Sequence, residues 1–214
     1  MGFKDWKYIP VTYWLLGILA VVFVVQLISL FVNFPFTELL ILDPEAVLNG
    51  QNLWGVFTNM FLHGSPIHLL FNAWALWMFG LALERIVGSK NLLKIFLISG
   101  IFASIFYILT SVFILNMSAS ALGASGAIFG VVGAMIALRP HTRVMLLFPP
   151  VPMELWMLGV FFVLIAVFWF GTGGGTGIAE NAHLGGLLIG LLMGLYFKKK
   201  EVKDPDFDWR AWYT

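Results

Sequence analysis

Residues 123–135 read Gly-Ala-Ser-Gly-Ala-Ile-Phe-Gly-Val-Val-Gly-Ala-Met, an apolar run in which Gly126, Gly130 and Gly133 form a bare stripe. Residues 182–194 match it. There His183 is followed by Gly186, Gly190 and Gly194 at i+3, i+7 and i+11, one continuous helix face headed by the histidine. Small residues at this spacing let two helix backbones approach closely in an apolar medium. The two runs therefore predict a close helix crossing that brings Ser125 within hydrogen-bond reach of His183.

The rest of the chain sets the medium. Of its 214 residues, 60% are hydrophobic and 11% charged, against roughly 45–50% and about 25% in soluble domains. A water-soluble globule is excluded. A formal net charge of +1 supplies no basic field for nucleic acid. The absence of cysteine removes disulfides, thiolate nucleophiles and cysteine metal sites together. A membrane span needs about 20 apolar residues, and six segments qualify: 11–32, 67–83, 92–115, 121–138, 153–170 and 182–197. The first is longer than the apolar core of a secretory signal and lacks a small-x-small cleavage site, so it reads as a retained span. The expected fold is an all-α polytopic membrane domain, residues 1–197, followed by a polar tail, 198–214. Residues 33–66 form the longest connection, and Trp54, Phe57, Met60 and Phe61 mark it as a structured outer loop lying in the interface.

Charge segregates on this six-span frame. Lys4 and Lys7, then Arg85 to Lys94, Arg139 and Arg143, and the tail from Lys198 to Arg210 all fall on one side, while Glu38, Asp43, Glu45 and Glu180 fall on the other. Basic loops stay cytoplasmic, so both termini are expected there.

Polar side chains deep in a bilayer are costly and usually functional. Four stand out: His68, Asn72, Ser125 and His183. Counted from Arg139 and Lys198, Ser125 and His183 lie about 21 and 22 Å from the inner ends of their spans. Counted from Arg85, Asn72 lies about 20 Å and His68 about 25 Å from that end, one turn apart on one face. Three helices thus bring polar groups to one layer near the outer side. A serine hydroxyl becomes a useful nucleophile when a neighbouring base takes its proton. His183 is the candidate base. No Asp lies in any span, and Glu84 and Glu154 sit at inner ends, so the expectation is a Ser-His dyad without a buried carboxylate. His68 and Asn72 are then candidate side-chain donors to an oxyanion, with the Ser125 N–H. His63 is expected at the interface, His141 in solvent, and the glycine-rich run 171–177 as a flap over the site.

These residues resemble the rhomboid family of intramembrane proteases. Its GxSG motif stands as Gly123, Ser125 and Gly126, its AHxxG motif as Ala182, His183 and Gly186, its HxxxN pair as His68 and Asn72, and its GxxxExxxG run as Gly80, Glu84 and Gly88. The resemblance implies a six-helix core and peptide-bond hydrolysis near the outer membrane face by a Ser-His dyad. It implies no metal or cofactor, and single-span transmembrane proteins as substrates. It also implies that Phe129, where the family often has Tyr, stacks on the catalytic histidine. Trp54 departs from the family's frequent Trp-Arg pair by preceding Gly55. The composition fits a minimal prokaryotic member. Two other readings stay open: a catalytically silent relative that binds membrane clients, and a small transporter or channel lined by His68, Asn72 and His183.

Overall fold

The computed structural model describes residues 9–145, 151–172 and 179–201. Lys4, Lys7, most of the glycine-rich run at 171–177 and the tail beyond residue 201 lie outside them.

The chain is built from helices. α1 (Val11–Phe31) starts where Pro10 presets the backbone. Three short helices follow, α2 (Phe36–Leu40), α3 (Pro44–Leu48) and α4 (Gly55–Thr58), and then a 3-10 turn, Asn59–Phe61. The long first loop is therefore folded. Trp54 anchors part of it, its indole N–H donating to the Leu39 carbonyl at 2.6 Å. α5 (Pro66–Ala75) is capped by Ser65, whose hydroxyl accepts from the His68 N–H at 3.1 Å. It continues through a π-helical turn, Leu76–Gly80, into α6 (Leu81–Val87). α7 (Ser89–Phe113), α8 (Ser125–Leu138), a hairpin of β1 (Arg143–Met145) and β2 (Pro152–Glu154), α9 (Leu155–Thr172) and α10 (Glu180–Glu201) complete the order.

Among the described residues, three helical stretches are long and apolar enough to cross a membrane: Val11–Phe31, Pro66–Val87 and Ser89–Phe113. α8 and the Leu155–Phe168 part of α9 are apolar but shorter. The shortness of α8 has a physical reason, since 11 of its 14 residues are buried. It is a central post enclosed by α7, α10 and the second long helix. Large apolar side chains face outward instead on the peripheral helices, among them Trp14, Leu30, Leu109, Phe113, Leu164 and Val167. Such a surface suits hydrocarbon and not water.

Between helices surrounded by lipid the hydrophobic term nearly vanishes, so cohesion must come from close packing and internal hydrogen bonds. Glu84 supplies the clearest polar tie. Its carboxylate accepts from the Val11 N–H at 2.7 Å, the Thr12 N–H at 3.0 Å and the Thr12 hydroxyl at 2.6 Å, and also from the Ser89 hydroxyl. One side chain thus satisfies the unpaired first turn of α1 and fastens it to α6 and α7.

Element boundaries differ from the sequence expectation in informative places. The fourth helix starts at Ser125 and not at Ala121, because Ala121 pairs backbone to backbone with Leu42 of the first loop. Met153 belongs to the hairpin that precedes α9, and α10 begins earlier than expected, at Glu180. Met60 is not interfacial: it is 1% exposed, with its thioether filling the space over Gly100.

Candidate functional site

The late start of α8 is the first determinant of the site. Gly123 adopts φ +129°, open in practice only to glycine. Its N–H donates to the Asn59 carbonyl at 3.0 Å. The turn delivers Ser125 as the first helical residue. Its N–H, and those of Gly126 and Ala127, consequently have no acceptor within the helix, and the first such bond runs from Ile128 N–H to the Ala124 carbonyl at 2.9 Å. Free N–H groups and the positive end of the helix dipole therefore surround the serine.

α10 brings the second group. A Cβ added to Gly186 would overlap the Gly126 carbonyl, and one added to Gly190 the Gly130 carbonyl. The backbones touch where any side chain would hold them apart. The amide of Asn181 ties the start of α10 to α7, donating to the Thr110 and Ser111 hydroxyls at 2.8 Å each. With the crossing set, His183 Nε2 lies 2.7 Å from Ser125 Oγ. For Nε2 to accept the hydroxyl proton it must be unprotonated, with the ring proton on Nδ1. The imidazole is held flat by Phe129, with ring centroids 4.4 Å apart and planes 10° from parallel. Phe129 meets Phe162 of α9 edge-on at 4.6 Å.

The remaining candidates gather at the same end. The His68 ring packs on the Gly123 backbone, where a Cβ would come within 2.8 Å of its Cε1 and 2.9 Å of its Nε2 and 3.8 Å of Ser125 Oγ. The Gly64 N–H points at His68 Nδ1 over a long 3.5 Å, which leaves Nε2 as the nitrogen with a proton to give. Asn72 is buried and donates one amide proton to the His68 carbonyl at 2.9 Å.

Three residues correct or extend the sequence reading. His63 is not interfacial. It is 2% exposed, edge-on to His68 at 5.1 Å, and neither ring nitrogen has a hydrogen-bond partner. Burial, with the neighbouring His68, lowers its pKa to about 4, so it is neutral. Its backbone is clamped from α1, where Gln26 accepts from the His63 N–H at 2.9 Å. Asn59 was not anticipated. Besides receiving Gly123, it donates to the Gly55 carbonyl at 2.6 Å and the Ser104 hydroxyl at 2.8 Å, which locks the first loop, α7 and the serine turn together. Its signal in the sequence was a polar residue in an otherwise apolar run. Glu180 is the third. The sequence reading expects no buried carboxylate at the dyad, yet Glu180 Oε2 lies 3.5 Å from His183 Nδ1, with both side chains mostly buried. Its three-residue spacing from His183 on a helix was the available clue. His141, in contrast, is exposed as expected, and pairs with Glu154 at 2.8 Å at the opposite end.

A cavity of about 30 Å³ opens beside Ser125, lined by Asn59, Ser104, Tyr107, Gly123 and Ala182 among others. It has room for a water molecule. The groups brought together are a serine hydroxyl, an imidazole in contact with it, a ring stacked on that imidazole and free N–H groups at the start of α8.

Comparison with known proteins gives the family to which the chain belongs. The family model described as Rhomboid domain matches residues 50–200. The chain is 32% identical over 148 residues to Rhomboid protein 1, mitochondrial, of Saccharomyces cerevisiae, covering 67% of this chain and 42% of that protein. It is 32% identical over 164 residues to Rhomboid-like protease 5 of Toxoplasma gondii, covering 74% and 18%. Rhomboid protease AarA of Providencia stuartii is 36% identical over 73 residues, or 30% of this chain and 26% of that protein. The chain spans less than half the length of each of these relatives.

Proposed function

We propose that this chain, which belongs to the rhomboid family, is an intramembrane serine endopeptidase that hydrolyses peptide bonds of single-span transmembrane proteins. The 2.7 Å contact between Ser125 Oγ and His183 Nε2 carries the reading. His183 takes the hydroxyl proton as Oγ attacks the scissile carbonyl. The developing oxyanion is met by the Ser125 N–H, His68 Nε2 and the Asn72 amide. His183 then returns the proton to the leaving amine, and the acyl-enzyme is cleared by water activated in the same way. The cavity beside Ser125 has room for such a water.

The wider reading follows from charge and hydropathy. All six apolar segments span the bilayer, with both termini cytoplasmic and the serine near the outer face. The cell membrane is that of a prokaryote. No metal or cofactor takes part, and lipid surrounds the helices. Asp43 and Glu45 lie in the folded first loop on the outer side, and Arg85, Lys90 and Lys94 on the inner.

The test is direct. The protein and its Ser125→Ala variant are reconstituted in liposomes with a model single-span substrate, and products are identified by mass spectrometry. In parallel a fluorophosphonate probe is applied to each. A cut near the outer end of the substrate helix and labelling at Ser125, both lost in the variant, are expected. If several substrates yield no product and Ser125 is not labelled, the dyad is silent and a client-binding role replaces the protease.

A further inference from the structure

The catalytic reading leaves one group at the site unused. Glu180 and His183 share the first turn of α10, and the contact between Oε2 and Nδ1 is 3.5 Å. Nδ1 is the nitrogen that must hold the ring proton if Nε2 is to accept from Ser125. At rest the separation is longer than a good hydrogen bond.

We infer that Glu180 is a positioning residue for His183, a carboxylate that faces Nδ1, holds the proton there and stabilises the imidazolium formed when the Ser125 proton moves to Nε2. The inference rests on the protease reading and adds a third member to a site that the sequence presented as a dyad.

Four observations support it. His183 is pinned on its other sides by Phe129 and Ser125, so the ring cannot turn away from the carboxylate. Side-chain exposures are 13% for His183 and 18% for Glu180, which places the pair in partly water-excluded surroundings where charge interactions are strong. Asn181 fixes the first turn of α10 to α7 between the two residues. Competing charges are few. α8 and the described part of α9 contain no charged residue, and α7 bears Lys90 and Lys94 at its opposite end. Tyr107 on α7 gives its hydroxyl proton to the Ala119 carbonyl. His68 is the other titratable group that senses His183. Glu180 is therefore the anion placed to balance a cationic His183.

Two substitutions separate charge from shape. Glu180→Gln keeps the size and an acceptor oxygen but loses the charge, while Glu180→Asp keeps the charge. For Glu180→Gln, kcat in liposomes should fall roughly 10- to 100-fold with KM nearly unchanged, and the acidic limb of the pH–rate profile should move to lower pH. Glu180→Asp should retain the position of that limb and recover part of the rate. A readout independent of turnover is 15N spectroscopy of the histidine ring, in which the share of the Nδ1–H form should drop in Glu180→Gln. A Glu180→Gln protein with unchanged tautomer, rate and pH profile overturns the inference. A changed tautomer in a protein that cleaves nothing leaves the contact standing and overturns the protease reading instead.

Discussion

Gly190 on α10 lies directly against the carbonyl of Gly130 on α8, so closely that a single methyl group would overlap that oxygen. Gly186 repeats the relationship with Gly126 one turn nearer the site. The position of His183 against Ser125 is set by this crossing, which is closer than ordinary helix packing. Ordinary interaxial distances are about 8–10 Å.

Gly190→Ala should therefore act on both stability and activity. Overpacking typically costs about 1–3 kcal/mol, and here the clash is with backbone, which yields less than a side chain. A lower thermal midpoint in detergent, with loss of probe labelling at Ser125, is expected. An unchanged midpoint would mean that the crossing is looser than described.

Removal of either dyad member should abolish turnover without unfolding the protein. Ser125→Ala and His183→Ala are each expected to lower kcat by roughly 10⁴-fold or more, and the double variant by little more than either alone, because the groups act as one unit. Liposome cleavage rates with thermal midpoints as a control make the check.

His68→Ala removes the donor on Gly123 and should reduce kcat by about 10²- to 10³-fold, the usual effect of one oxyanion donor. Asn72→Ala should also lower kcat, and in addition releases the His68 carbonyl that its amide now occupies. A rise in KM alone for His68→Ala would move this histidine from oxyanion binding to substrate binding.

Phe129 holds the His183 ring by stacking, an interaction of about 0.5–1.5 kcal/mol. Phe129→Ala should lower kcat by roughly 2- to 12-fold on that scale, whereas Phe129→Tyr, which keeps the ring, should stay near the parent rate. Rates of the two variants, compared on one substrate, settle it.

His63 predicts a pH dependence of stability. Its folded-state pKa is near 4, below the ordinary 6.5, so the unfolded chain takes up the proton first as pH falls. Stability referred to this group is whole above about pH 6.5, declines as pH falls toward 4 and levels off below that. Thermal unfolding between pH 7.5 and 4 should show a slope over that window that is reduced in His63→Gln. An identical slope in the variant would assign the acid sensitivity to other groups.

A good part of the site was legible in one dimension because membrane physics makes polar residues conspicuous. Ser125, His183, His68 and Asn72 stood out as expensive groups in apolar runs, and depth could be counted from basic residues at the inner ends. The stripes of Gly126 and Gly130 against Gly186 and Gly190 announced the crossing, because in lipid only small residues permit it. Element ends were less legible. Helix α8 loses residues 121–124 to a backbone pairing with Leu42, a partner nearly 80 positions away that leaves no local trace.

The sequence by itself determined the mostly helical class, the apolar medium, the order of the segments and which serine and histidine would meet. Each follows from local composition and spacing, which periodicity and transfer energies read directly. Only the tertiary structure decided that Asn59 braces the serine turn, that His63 is buried beside His68, and that Glu180 faces the far nitrogen of His183. Asn59 acquires Ser104, and the His63 backbone acquires Gln26, from segments distant in the chain. Glu180 has its partner one turn away, yet its rotamer is chosen by the packing of α10 on its neighbours, and that energy is absent until the helices meet.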